Sequence, residues 1–551
     1  MKTTLKRVLA MLLCLMLAFS LAACGSSSGK EEKTDAPKTQ TDTPSSSSSG
    51  GAQSGQSGKT DTPSAPSGSG TVSARDTLNV CAIGDKGTLL PHGMTGSGLF
   101  GAARMYCEPL WEYTADEQLM PILAESVEGL NSTTWTVHLR KGIKFSNGSD
   151  FTAEDVIFSM QYYKDATKGQ FKEFDLEQSK ILDDYTIEFI LNPFGYTMCY
   201  AIGNLLIYDK ETFDENEMIT NPIGTGPYKV KEYVIGSYLY LEARDDYWGE
   251  PAKIKNLNFY VYNEDSQITN AIQNGELDYV SEVPAQDADF LETIPDYTAE
   301  KYYTMQAPNL SFNLSKQSVM SNLDARLACC YALNRNAVID RVYFGNAEII
   351  RWPVSEHSIG FEESMANLHP VYTEGRNVEK AKDYAEKAGL VGKEITVITN
   401  GGSNFIAIAE IFQANMKEIG VTVTIKNYDA ASYMTMANTP DAYDIAINQS
   451  SSSAGLALSL LSGTMMFYPT RFEEWEDYDF FYNTGMSAFT NPDPEARQQI
   501  LRDIIPCFIE DAVWFGICDV QATRLIKSDL AGMIYLKTIS INRYDQWYWV
   551  A

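Results

Sequence analysis

Four histidines, His92, His138, His357 and His369, serve a chain of 551 residues, and no two stand at the spacing of a metal-binding HExxH helix. Outside the Ser/Gly-rich stretch at 24–74, where GSSSG matches by composition alone, no GxSxG nucleophile elbow occurs. Neither a metal site nor a cofactor is expected, and no enzyme motif remains. Positive charge is scarce as well: 43 Lys and Arg face 72 Asp and Glu, for a net charge of −29. A basic groove for a phosphate backbone is excluded, and nucleic acid with it. Of nine cysteines, Cys14 and Cys24 belong to the leader described next; Cys81, Cys107, Cys199, Cys329, Cys330, Cys507 and Cys518 remain. Their odd number and wide spacing exclude a disulfide framework or a metal cluster, and the pair in LACCYAL is expected to be buried thiol. Carboxylates are plentiful, but the run RFEEWEDYD reads as a solvated acidic face rather than a glycosidase pair.

What is present begins with a leader. MKTTLKR carries three positive charges, and VLAMLLCLMLAFSLAA follows as sixteen uncharged residues ending in small side chains. That is short of the roughly 20 residues of a bilayer crossing, so residues 1–23 read as a secretory signal. Leu21-Ala22-Ala23-Cys24 resembles the bacterial lipobox, which implies lipidation of Cys24 and anchoring on the outer face of the cell membrane. From 24 to 74 the chain is Ser/Gly-rich with no large apolar side chain, so it is expected to be a solvated tether. SGQSGKT within it fails as a phosphate loop, because Gln53 occupies the first glycine position.

Beyond the tether, helix and strand patterns mix throughout, without a repeating period. TWTVHLRKGIKFSNG alternates like two short strands turning at Asn147-Gly148, and FTAEDVIFSMQYYKDA follows as a helix that Thr152 and Asp155 can cap as a box. Gly275 is the expected stop of a helix in SQITNAIQNGELDYV, and DARLACCYALNRNAVID reads as one further helix. EITVIT, FIAIAEIFQANMKEIG and VTVTIKNY give strand, helix and strand, the pattern of a parallel βαβ unit.

TWTVHLRKGIKFSNGSDFTAEDVIFSM, NPIGTGPYKV, ARDDYWGEPAKIKNLNFYV, AIQNGELDYV, DARLACCYALNRNAVID, VEKAKDYAEKAG and MKEIGVTVTIKNYD are similar, in order and spacing, to the extracellular solute-binding proteins of family 5, the peptide and nickel receptors of ABC importers. The resemblance implies an α/β, two-lobed periplasmic-binding-protein-like fold of type II with an extra subdomain. Lobe I would comprise 75–115, 222–305 and 515–551, the insert 116–221, and lobe II 306–514. It also implies a monomer that closes on a small solute, a peptide first and an oligosaccharide as the alternative, and delivers it to permease subunits driven by a cytoplasmic ATPase. A glycan hydrolase and an adhesive surface lipoprotein are the rival classes.

Peptide-binding members place an amine-pairing carboxylate just after the strand that corresponds to YDIAI, residues 443–447. Here NQSSSSAGLALSLL follows, with no carboxylate. The neutral run is either a surface loop or a ligand contact; on the second reading Asn448, Gln449, Ser450 and Ser452 bind. Asp85, in GDKGTLLPH, becomes the candidate amine partner. Gln306 and Asn309 lie where the resemblance puts a crossing strand, and Trp352 could cover a bound group unless it is core.

Overall fold

Strand polarity organises this molecule. The computed structural model describes residues 73–94, 97–113, 119–167, 171–193, 195, 197–450, 457, 461, 469–533 and 542–551. All belong to the unit Ser64–Ala551, and the leader, Cys24 and most of the tether lie outside the described residues.

One sheet runs in the order Tyr297–Tyr303, Cys518–Lys527, Tyr279–Val280, Thr77–Ile83, Asn256–Tyr262, Tyr238–Ala243, Tyr228–Val234, with Ala347–Ile349 added to the start of Cys518–Lys527. Alternation in TLNVCAI and NLNFYVY sets its parallel register, pairing Leu78 with Leu257 and Val80 with Phe259 so that these four side chains enter one core. A second, four-stranded antiparallel sheet, ordered Ala124–Glu128, Thr134–Leu139, Thr186–Ile190, Lys180–Asp183, contributes Trp135, Val137, Ile187 and Phe189 to that same core. The third sheet, ordered Thr422–Asn427, Glu394–Thr399, Ile445–Ser450, Ala307–Phe312, Trp514–Gly516, builds its own core around Leu310, Val397 and Ile447. Two lobes follow from two cores.

Two segments join the first sheet to the third directly among the described strands, from Tyr303 to Ala307 and from Gly516 to Cys518, and Ala347–Ile349 reaches out of the second lobe to pair with the start of Cys518–Lys527. Trp514–Gly516 belongs to the third sheet, so the return falls at Ile517 rather than between 514 and 515. The crossing segments hold each other: Thr304 N donates to Val520 O at 2.9 Å and Ile517 N to Pro308 O at 2.8 Å. Met305 takes a φ of +56°, a left-handed conformation that few non-glycine residues adopt, at the middle of the first crossing.

Local readings fare unevenly. Glu394–Thr399 and Thr422–Asn427 are parallel and joined by the helix Ser403–Glu418, the βαβ unit expected. DARLACCYALNRNAVID is instead two helices, Leu323–Ala332 and Arg335–Val342, because Leu333 is extended and the Asn334 side chain caps the second by accepting from Ala337 N. TWTVHLRKGIKFSNG holds one strand and then only a bridge between Lys144 and Asp150 around the Asn147-Gly148 turn. Half of the capping box forms: Thr152 N donates to Asp155 Oδ2 at 2.8 Å, while the Thr152 hydroxyl also turns to that carboxylate.

Several of the quoted motifs meet at one buried side chain. The Arg244 guanidinium donates to the carbonyls of Gly224 and Gly226 in GTGPY, and to those of Lys144 and Phe145 in KFSNG. Gly224 and Gly226 are required there, since a Cβ on either would lie 2.0 Å from Tyr106 O or 2.5 Å from Met105 O. YWG closes the same region, where Tyr247 Oη and Trp248 Nε1 donate to the buried carboxylate of Glu108 at 2.7 and 3.0 Å. Burial pushes the Glu108 carboxyl up to about 7.

Candidate ligand-binding site

Both crossings fix which strand ends face the other lobe. Cys518–Lys527 starts at a crossing and runs away from it, antiparallel to Tyr279–Val280; Thr77–Ile83 is parallel to Tyr279–Val280, and Asn256–Tyr262 to Thr77–Ile83. The carboxyl ends of these three strands, at Ile83, Tyr262 and Val280, therefore point to the crossing. In the other lobe Ala307–Phe312 leaves the crossing antiparallel to Ile445–Ser450, and Glu394–Thr399 and Thr422–Asn427 are parallel to the latter. Ser450, Thr399 and Asn427 thus end at the crossing too. Ligands of open α/β sheets bind outside the carboxyl ends of strands, and here two such sets face one hinge. The loops that leave these ends start at residues 84, 263 and 281 on one side and at 400 and 428 on the other.

Asp85 lies on the first of these loops, but its oxygens are already engaged. Oδ1 accepts from Gly87 N at 2.8 Å, both oxygens accept from Tyr233 Oη, and Oδ2 accepts from Gly236 N at 2.8 Å. It ties the loop to the hairpin around Gly236, which corrects its reading as a free amine partner. Trp352 is 0 % exposed and packs on Phe361 in the second lobe's core, so it covers no ligand. Asn309 is buried inside the sheet; its Nδ2 reaches Ala307 O at 3.4 Å and its Oδ1 has no partner among the described residues. Gln306 is exposed on the crossing itself.

Asn448, Gln449 and Ser450 are the last residues of a strand, paired with Asn309, Pro308 and Ala307, and not a surface loop. Asn448 Nδ2 donates to Tyr433 Oη at 3.0 Å, and Ser450, buried, donates to Ala307 O at 3.2 Å. Gln449 is exposed. Ser452 lies outside the described residues.

Around the crossing the second lobe grips the first. Tyr303 stacks on His357 with ring centroids 3.5 Å apart, Glu356 N donates to Asp519 Oδ2 at 2.9 Å, and Asn346 Nδ2 donates to Ala285 O at 3.1 Å. Burial raises the Asp519 carboxyl above its ordinary range.

One wall residue escaped the sequence reading. Glu282 follows the strand Tyr279–Val280 and is exposed; desolvation by nearby protein raises its carboxyl above the ordinary range, with Asp265 adding like-charge repulsion. In NGELDYVSEVP it is the first charged residue after the short strand.

A family model described as bacterial extracellular solute-binding proteins, family 5 Middle, matches residues 118–465, more than half of the chain. The chain belongs to the bacterial extracellular solute-binding proteins of family 5. It is 26 % identical over 404 residues to the dipeptide-binding protein of Escherichia coli K12, covering 66 % of this chain and 73 % of that one. To the nickel-binding periplasmic protein of the same organism it is 27 % identical over 393 residues, with the same coverage. Among solved structures, NikA from Brucella suis in complex with Fe(III)-EDTA superposes with a TM-score of 0.74 at 20 % identity, over 86 % of this chain and 99 % of that one. A putative peptide-binding AppA from Clostridium difficile gives 0.73 at 21 % identity, over 86 % and 100 %. These likenesses establish the two-lobed fold. Family 5 proteins are the extracellular or periplasmic binding components of ABC transporters and not enzymes.

Proposed function

We propose that this family 5 protein is lipid-anchored through Cys24, captures an oligopeptide or similar solute between its lobes, and delivers it to an ABC permease. The observation that supports the reading most is the convergence of six strand carboxyl ends on one hydrogen-bonded crossing. A solute touching both walls favours the closed arrangement by its differential affinity, and closure is a signal that a membrane partner can read. The relatives named for dipeptides and the solved relative carrying the peptide STSA support a peptide as cargo. Native mass spectrometry of purified protein should show a retained solute, and scattering profiles should contract when it is restored. At about 100 times its dissociation constant that solute stabilises the protein by ~2.7 kcal/mol. Absence of any saturable solute would refute the receptor reading. Anchoring is tested separately: cells fed a labelled fatty acid should label the chain, and Cys24→Ala should abolish the label.

A further inference from the structure

Asp85 braces more than its own loop. In the first sheet Thr77–Ile83, from whose end that loop departs, and Tyr228–Val234 are separated by two strands, Asn256–Tyr262 and Tyr238–Ala243. The carboxylate reaches past the ends of both, because its partners Tyr233 Oη and Gly236 N belong to the far strand and to the turn after it. That turn lies at the same end of the sheet as Ile83 and Tyr262: Tyr238–Ala243 is antiparallel to both of its neighbours, and Val261 N donates to Ser237 O at 2.8 Å. Loop and turn also touch. Ile235 Cγ2 comes within 3.6 Å of where a Cβ on Gly87 would stand, and Gly87, at a φ of +74°, takes the left-handed conformation that glycine accepts without strain.

The unit so braced carries apolar side chains into solvent. Ile83 is 47 % exposed, Val234 40 % and Ile235 59 %. Register puts two of them on one face of the sheet: Ile83 pairs with Tyr262, Val234 with Tyr238, and Tyr238 with Tyr260, two residues before Tyr262 in the same strand. Isoleucine, two half-buried tyrosines and valine therefore form a row four strands wide beside the loop. Single apolar residues scattered over a surface need no explanation; a row held in register by a carboxylate with three donors does. Nothing in the facing loops of the second lobe matches it. Those that leave Thr399 and Asn427 expose Asn400, Gly401 and Asp429, and among the described residues at 400–403 and 427–429 no large apolar side chain is exposed. An apolar cover is left to come from the solute between the lobes.

We propose that Ile83, Val234 and Ile235 form an apolar rim on the first lobe that takes a hydrophobic side chain of the solute, and that Asp85 is the positioning residue that holds this rim together. The inference rests on the receptor reading above and narrows its solute class. Asp85 itself does not touch the solute, since its oxygens are filled; it acts by fixing the loop against the turn. Closure of the lobes would exclude water from the rim, and the gain is largest for a solute whose own surface there is apolar.

The test uses the full-length protein and two tripeptide libraries, read by native mass spectrometry. Every member of one contains Leu, Ile, Val or Phe; the other is built only from Gly, Ser, Asn and Gln. Wild type should retain the first about tenfold or more over the second, and Ile235→Ser should weaken the first by about tenfold while leaving the second unchanged. Ile235 lies on the surface, so that variant should keep the wild-type urea midpoint. Asp85→Ala should cause a similar loss for the first library, and the double variant should lose little more than either single one, because both act through one rim; losses that multiply would make Asp85 merely structural and refute its role. Equal retention of the two libraries by wild type, or equal weakening of both by Ile235→Ser, overturns the rim and leaves the receptor reading standing. A wild-type dimer in sedimentation that Ile235→Ser abolishes would show the rim to be a contact between copies of the chain, and also overturns it. Retention of neither library overturns it as well; the receptor reading falls too only if the purified protein carries no saturable solute of any kind.

Discussion

Replacing Arg244 by methionine keeps most of its apolar stem and removes the guanidinium that ties two loops. Four carbonyls accept from it, those of Lys144, Phe145, Gly224 and Gly226, at 3.2 to 3.4 Å. Two of these keep a backbone donor, because Gly148 N also reaches Phe145 O and Ser146 N also reaches Gly224 O. The buried carbonyl of Gly226 loses its partner, and that of Lys144, partly open to solvent, loses a charged donor for water. An orphaned buried acceptor costs about 1–3 kcal/mol and each bond to a charged donor contributes about as much, so Arg244→Met should destabilise the fold by about 2–5 kcal/mol. Its partner Asp246 is largely exposed and adds little. Arg244 follows Tyr238–Ala243, which is antiparallel to Asn256–Tyr262, so it lies at the end of the sheet away from the cleft. Urea unfolding at pH 7 should therefore show a lower midpoint at unchanged slope, while ligand affinity below the transition stays within twofold. A loss under 1 kcal/mol, or an affinity change larger than the stability change, would refute this account of the shared motifs.

Three further outcomes are expected. Glu108 ionises in the unfolded chain near the ordinary ~4.3 but in the folded protein only at about 7, so the folded state retains a proton across that interval and stability from this group falls as pH rises from 4 to 8; Glu108→Gln should remove a fall of order 3 kcal/mol from pH-dependent urea midpoints, and an unchanged difference between pH 5 and 8 would contradict it. Gly98→Ala places a Cβ 2.2 Å from Ile83 N and 2.6 Å from Ile83 O, both backbone atoms at a cleft strand end; the loop must move, costing ~1–3 kcal/mol and weakening the ligand, and calorimetric titration indistinguishable from wild type would show that the loop does not bear on the cleft. Trp352→Ala should cost about 3–5 kcal/mol by thermal unfolding, and if it instead leaves stability intact and abolishes binding, the indole faces the ligand after all.

Residues whose neighbours in space are also neighbours in pattern were legible in the sequence. The βαβ unit over Glu394–Asn427 announced itself by a change of period from two to 3.6 and back, and the parallel register followed. The single helix expected over DARLACCYALNRNAVID failed because apolar periodicity continued across Leu333-Asn334, while the local cap at Asn334 decided the break. The strand from YDIAI ran three residues further than its apolar face, since Asn448, Gln449 and Ser450 pair with the first crossing segment through backbone groups that take no account of side-chain polarity.

The cleft was least legible because its walls come from loops, each beginning where a strand ends, and nothing in the side chains of one loop reports the others. Asp85 illustrates the difficulty: a carboxylate on a cleft loop is the right residue type in the right place, yet Tyr233 and Gly236, about 150 positions away in sequence, consume it. Residue type alone cannot tell a carboxylate open to a ligand from one already filled; hydrogen-bond accounting can, because a carboxylate whose lone pairs are filled stabilises the lobe that carries it. The motifs that reveal the family converge instead on Arg244 and Glu108, whose partners are backbone carbonyls and ring donors brought together by the fold.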